Sequence, residues 1–381
     1  MEKKEGLVKR KYYLDLLDRN INSFRNGKGN NIALLGPRKS GKTIILKEHL
    51  KNVKDDVAVF IDLNKISLNP ENFSVEFIGN VIFSFLRKPL KDYKKSLSLE
   101  NILNTENELK SKNAFSIIKS IENELQKIKP DQKLLVESAF KFADALGRDN
   151  GKKFVIALDN IENLFDLNNF SQIKDVLSLI DLKSENVNYL AASSAIRESI
   201  AALKGFECYE IKNLEKNESI ELAESIIGNK HSEAEEIFSL SKGNPFITIL
   251  ISEKFNEIKS VKKSFFIELL TKDHALYDYC SESYNYYYNR ARGQTLLKSI
   301  LKVISNEELR LSDIAKRIYR SAPVTKSILE RLMDVDVIYK KDNKFYFTDD
   351  VLRLWVKLTS QGYDFDDVPD DKILEEAMKE L

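Results

Sequence analysis

The sequence has little cysteine, histidine or tryptophan. Cys208 and Cys280 are its only cysteines in 381 residues, so a disulfide framework is excluded and the usage fits a reducing compartment. His49, His231 and His274 are scattered, and no Cys/His cluster has the spacing of a zinc site. An excess of one charge is also missing. The 60 basic residues nearly cancel the 59 acidic ones, which excludes a whole-chain basic footprint for nucleic acid but leaves room for a local patch. No run nears the roughly 20 apolar residues that span a bilayer, and Met1-Glu2-Lys3-Lys4-Glu5 does not lead into a signal-peptide core. The chain reads as soluble and cytoplasmic, with no membrane partner. It does have 43% apolar residues, enough for sizeable cores. Its length suggests two or three domains of roughly 100–200 residues.

Leu14, Leu17, Ile21 and Phe24 recur at helical spacing, and Asn26 to Asn30 break that helix. Short apolar runs then read as buried strands, Ile32–Leu35, Val57–Asp62, Phe154–Asp159 and Asn188–Ser193, and Cys208–Ile211 reads as a fifth strand. Helices are expected over 41–51, through most of 71–150, and over 170–184. Strands alternating with helices argue for a parallel sheet covered on both faces. From Leu214 to Arg292 the pattern is all helical.

Gly36-Pro37-Arg38-Lys39-Ser40-Gly41-Lys42-Thr43 fits G-x-x-x-x-G-K-[ST] between a strand run and a helix run, and with Ile44 it is the expected nucleotide-binding segment. The glycines let successive N–H groups curl into one concavity, which with the helix N-terminus stabilises phosphate oxygens. Lys42 is placed to reach the β- and γ-phosphates, and the Thr43 hydroxyl to ligate Mg²⁺. Asp159, at a strand end, is the carboxylate expected to hold the metal opposite the loop. Asn160 follows it and can hydrogen-bond a water but cannot take its proton. Glu162 is either a second group turned to the site or a surface residue of the next helix. Ser193 and Ser194 end the following strand and could meet the γ-phosphate or water, with Arg197 one turn on.

On these residues the chain resembles the archaeal-type ATPases of the STAND/AAA+ P-loop superfamily, relatives of the replication-initiator ATPases. Leu7-Val8-Lys9-Arg10 looks like the family's N-terminal motif, with Arg10 near the nucleotide. Asp159 to Leu164 looks like its Walker B segment, and Ala192-Ser193-Ser194 like its sensor strand. Lys242-Gly243-Asn244-Pro245-Phe246 resembles its helical-lid motif, which implies Pro245 near the adenine. The family's Asp-Glu is Asp159-Asn160 here, and its glycine before the sensor serine is Ala192.

Residues 293–360 suggest a winged helix-turn-helix. Leu296, Ile300 and Val303 stripe a first helix; Ser312 caps a second, Asp313–Tyr319. Pro323 opens a third, in which Val324, Ile328, Leu329 and Leu332 face inward. Ile338–Lys341 and Lys344–Phe347 make the wing. This segment carries 13 basic and 9 acidic residues. Lys316, Arg317, Arg320, Lys326, Arg331, Lys340, Lys341 and Lys344 could face a DNA backbone. A protein partner is the other reading. Tyrosines 277, 279, 284, 286, 287 and 288 read as a packed face between domains.

The expected architecture is a parallel-sheet α/β P-loop NTPase domain of the ASCE/AAA+ kind over 1–213. A helical lid over 214–292, a winged helix over 293–360 and an acidic tail over 361–381 follow it. The expected function is binding of ATP and ADP with Mg²⁺ and slow hydrolysis, as a nucleotide-controlled switch that can bind double-stranded DNA. The alternative is a nucleotide-gated regulator that does not hydrolyse and binds a protein.

Overall fold

The computed structural model describes residues 10–89, 97–292 and 295–381. Leu7, Val8 and Lys9 lie outside the described residues. Five parallel strands form the first body: β1 (Asn31–Leu35), β2 (Val57–Asp62), β3 (Phe154–Asp159), β4 (Val187–Ser193) and β5 (Phe206–Glu210), in the order β2-β3-β4-β1-β5. β1, β3 and β4 are buried along their whole length, as strands covered on both faces must be.

Successive strand residues alternate between the faces. Ile32 and Leu34 join Val155, Ala157 and Leu190 under α1 (Lys11–Arg25) and α2 (Lys42–Asn52), whose Leu17, Ile21, Ile45 and Leu46 close that layer. Ala33 and Leu35 join Ile156, Leu158 and Tyr189 on the opposite face. There they meet α3 (Pro70–Phe85), α4 (Leu99–Leu103), α5 (Glu106–Leu109), α6 (Lys112–Leu125) and α7 (Gln132–Asn150). The register sets Asp62 opposite Asp159 and Leu35 opposite Ser193, so the strand ends align along one edge.

The helix expected over 170–184 does not form. Two 3₁₀ segments, Ile161–Asn169 and Val176–Leu179, take the chain towards β4. Asn168, Asp175 and Asp181 accept backbone N–H groups of Val176, Leu177 and Lys183, so local side chains outcompete the helix. After β4 comes α8 (Ile196–Ala202), and after β5 the chain leaves the sheet.

The second body is helical: α9 (Lys216–Ile227), α10 (His231–Ser241), α11 (Pro245–Ile258), α12 (Val261–Leu270) and α13 (Ala275–Arg290). A capping box of Glu215 and Glu218 starts α9; Asn244 caps α11, with Pro245 in its first turn. Then come α14 (Thr295–Asn306), β6 (Leu309–Arg310), α15 (Leu311–Arg317), α16 (Ala322–Asp334), β7 (Ile338–Lys341), β8 (Lys344–Phe347) and α17 (Asp350–Thr359). The small sheet is antiparallel, in the order β6-β8-β7. Asp342 and Asn343 turn the hairpin with φ of 47° and 62°, the two positive angles a tight two-residue turn requires.

Three details differ from expectation. β6 adds a strand, because Leu309 and Arg310 pair with β8; α15 therefore starts at Leu311 with Arg310 as its cap, and Ser312 caps nothing. Val324 is exposed, and Thr325 takes the inward place on α16. The acidic segment after Gln361 is no solvated tail. Phe365 bridges to the end of α12 through Leu270 and Lys272, and α18 (Asp371–Met378) buries Leu374 and Ala377. Its carboxylates pair with lysines of the helical body, Lys263 with Asp371 and Lys272 with Asp366. One continuous apolar core runs from Ile220 through the small sheet to Ala377. No described helix is long and apolar enough to cross a membrane.

Because α18 is part of that core, Leu374→Ala should lower the unfolding free energy by about 2–4 kcal/mol, read as an earlier urea midpoint. An unchanged midpoint would show that α18 only rests on the surface.

Candidate functional site

The site starts where β1 ends. The Gly36 N–H donates to the Ser193 carbonyl at 3.1 Å, and a Cβ on Gly36 would lie 2.2 Å from the Ile211 carbonyl oxygen, so the loop can leave the sheet here only as glycine. The chain then curls with Lys39 at φ 59° and Gly41 at φ 99°, and Gly41 caps α2. The unpaired amides of the first turn of α2 thereby face the concavity, where anions are stabilised. Ser40 is fully buried, and its hydroxyl has no partner among the described residues. Such a polar group fits a phosphate-bearing ligand. Ile44 follows in the first turn of α2 with its side chain 57% exposed.

Lys42 is buried, and its ammonium folds back onto the Gly36 and Pro37 carbonyls at 2.8 and 2.7 Å. Burial pulls it down to about 8, against the opposing pull of Glu162 and Asp159. The Thr43 hydroxyl donates to Asp159 Oδ2 at 2.7 Å, tying α2 to β3. Burial raises the Asp159 carboxyl above its ordinary value, and the charge of Asp62 adds to this. A hydroxyl and a carboxylate oxygen fit Mg²⁺, which keeps most of its shell as water and phosphate. No group of three metal-binding side chains occurs among the described residues, so an all-protein cage is not what is built here.

Arg10 supports the loop from outside. Its guanidinium donates to the Ser40 and Lys212 carbonyls at 3.0 and 2.9 Å, bracing loop backbone rather than reaching into the concavity. Arg38 leans towards α13: it lies 4.9 Å over the Tyr286 ring and 3.7 Å from Glu282. Lys39 sits over Phe246 at 5.2 Å, and the Asn244 amide reaches the Arg38 carbonyl, which brings the turn holding Pro245 against the loop.

Asn160 has φ 58°, a left-handed backbone that asparagine tolerates far better than glutamate. Its amide donates to Asp62 at 3.0 Å, turning it towards β2. Glu162 is not a surface residue. It is 1% exposed, and its Oε1 accepts from the Ser194 N–H at 3.1 Å and the Tyr286 hydroxyl at 2.9 Å. Ser193 is turned inward, held by Ser199 and the Ala195 N–H. Arg197 is drawn away, its N–H and guanidinium both on Asp336 of the turn before β7.

The remaining cations are far apart in role. Lys316, Arg317, Arg320, Lys326, Lys340 and Lys341 are exposed on α15, the following turn, α16 and the hairpin, and Lys344 is half-buried. Arg331 is different: it donates to the Ala291 and Arg292 carbonyls, so it ties α16 to the end of α13 rather than facing outward. Two participants escaped the sequence reading. Asp62 carried a signal, a carboxylate ending a buried strand as Asp159 does. Tyr286 carried none beyond membership of a tyrosine-rich stretch.

No family model and no curated protein matches the chain. Solved structures do. The chain is similar to a Walker-type ATPase of Pyrococcus abyssi at 15% identity and a TM-score of 0.63, over 91% of this chain and 95% of that one. It is similar to the ORC2 protein of Aeropyrum pernix, solved in ADPNP–ADP complexes, at 10% identity and a TM-score of 0.50, over 93% and 95%. Likeness at these identities carries the fold. With the loop between β1 and α2, the sheet is that of a parallel-sheet P-loop NTPase.

Proposed function

We propose that the chain is an archaeal-type AAA+ ATPase that binds ATP with Mg²⁺ in the cradle of residues 36–43 and hydrolyses it slowly. The observation that carries this is the Thr43–Asp159 bond beside a buried lysine, inside a loop whose Ser40 hydroxyl has no partner among the described residues. Bound Mg²⁺ would neutralise charge developing on the transferred phosphoryl group. Arg38, Lys39 and the residues from Gly41 to Thr43 supply amides to the phosphates, and Lys42 exchanges two carbonyls for phosphate oxygens. Thr43 and Asp159 hold the metal. Glu162, not Ser193 or Asn160, faces the water, because it keeps one carboxylate oxygen without a partner among the described residues while the other two side chains are engaged within the protein. Pro245 and the turn around it border the nucleotide, and Arg10 stiffens the loop.

Phosphate release should exceed that of Lys42→Ala, which should also lose ATP binding by calorimetry. Binding without release would favour a second reading that Asn160 supports: a nucleotide-gated regulator whose C-terminal module holds a protein partner.

Lys42 also sets a pH dependence. A bound phosphate favours the ammonium, so above about pH 8, where the free protein has begun to lose that proton, ATP binding should take one up. Calorimetry near pH 8.5 in two buffers of different ionisation enthalpy should show net proton uptake and an affinity that falls as pH rises; buffer-independent heats would refute the assignment.

For the C-terminal module we propose a winged helix that binds double-stranded DNA. Its helix–strand–helix–helix–strand–strand order supports this, as do the exposed cations of α15, α16 and the hairpin. Duplex affinity should fall steeply with salt, and Lys326→Ala with Lys340→Ala should weaken it and flatten the salt slope by about 2. Absent or salt-independent binding would leave the protein partner.

A further inference from the structure

We propose that Tyr286, on the helix joining the helical body to the C-terminal module, is a positioning residue for ATP hydrolysis: its hydroxyl orients the Glu162 carboxylate towards the attacking water. This rests on the hydrolytic reading above and deepens it by naming the group that completes the site from outside the sheet domain.

The reasoning starts from Glu162. A carboxylate that is 1% exposed is costly unless its oxygens are met by donors. Only one of them is. Oε1 takes both available donors, the Ser194 N–H and the Tyr286 hydroxyl. Oε2 is buried and has no partner among the described residues. Two donors converging on one oxygen set the plane of the carboxylate, and that plane aims the other oxygen. Glu162 exerts the largest opposing pull on Lys42, ahead of Asp159, so the carboxylate lies in the field of the phosphate-binding ammonium. An unpaired acceptor so placed suits a water poised on a γ-phosphate. The water oxygen bonds to the γ-phosphorus while the bond to the β–γ bridging oxygen breaks. ADP leaves with that electron pair, and the water proton passes to Oε2 and then to the released phosphate.

Tyr286 is suited to this task. Burial keeps its phenol protonated, so it is a standing donor. Its ring is held by two guanidinium groups, Arg38 of the phosphate loop and Arg290 of its own helix, at 4.9 and 5.7 Å from the centroid. Arg290 also binds Glu198 of α8 and reaches the Glu162 carbonyl, which holds α13 against the strand ends. Tyr286 therefore meets both the carboxylate and the loop, and it belongs to the body that must move if the nucleotide state is to be felt beyond the sheet.

The test is steady-state phosphate release by full-length protein, with ATP affinity measured separately. Tyr286→Phe keeps the ring and removes the hydroxyl. It should lower kcat about tenfold and leave KM and ATP affinity within about twofold, while Glu162→Gln lowers kcat by on the order of a hundredfold. In the double variant the Tyr286→Phe effect should vanish, since it acts through Glu162. A kcat for Tyr286→Phe equal to wild type, or a loss that adds to that of Glu162→Gln, overturns the inference while leaving hydrolysis intact. Equal loss of ATP affinity and kcat also overturns it, because that marks packing. If wild-type protein releases no more phosphate than Lys42→Ala, the hydrolytic reading falls and this inference with it.

Discussion

The rest of the site depends on an ammonium removed from water. Lys42 is buried at the first turn of α2, where helix amides already make the local field positive. A charge there is sustained only by acceptors, and the structure supplies them in layers. The Gly36 and Pro37 carbonyls make direct contact, and Asp159 and Glu162 stand behind as carboxylates. The carbonyls are available because Gly36 passes too close to Ile211 for any side chain. The carboxylates are available because the strand register brings the end of β3 level with that of β4. An exchange of partners, carbonyl for phosphate oxygen, is then a small displacement within a prepared environment rather than a desolvation made afresh.

The second element of the design is that the sheet domain does not complete its own polar bookkeeping. Glu162 and Arg38 both look to Tyr286, Glu198 looks to Arg290, and Arg197 looks to Asp336. These contacts come from α13 and from the turn before the hairpin, more than ninety residues downstream. They lie next to the phosphate loop and to the ends of β3 and β4, where a change of charge at the loop is felt most strongly.

Much of this was legible in the sequence. The phosphate loop, the buried strands and the carboxylate ending β3 are local patterns, and each has a mechanism that ties residue type to position. The helix opened by Pro323 was equally local. What stayed hidden depended on long-range pairing or on competition between side chain and backbone. Nothing near Leu309 announces that it will pair with β8, and the asparagines and aspartates after Asn168 look as compatible with a helix as with turns. Asn160 is instructive. Read alone, it looks like a lost carboxylate; in the structure its left-handed backbone and its bond to Asp62 account for an asparagine. The acidic segment was legible only as charge, which dominates its composition, yet Phe365, Leu374 and Ala377 decide where it goes.

That last segment bears on the mechanics of the whole molecule. By returning to α12, this segment joins the helical body and the C-terminal module over a shared apolar interior. The backbone joins this pair to the sheet domain once, along Ile211–Leu214, where the Leu214 N–H is pinned to the Gly243 carbonyl. A single strap of four residues cannot fix orientation. The polar clasps described above, Tyr286 with Glu162, Arg290 with Glu198 and Arg197 with Asp336, add to that strap, and all of them sit beside the strand ends.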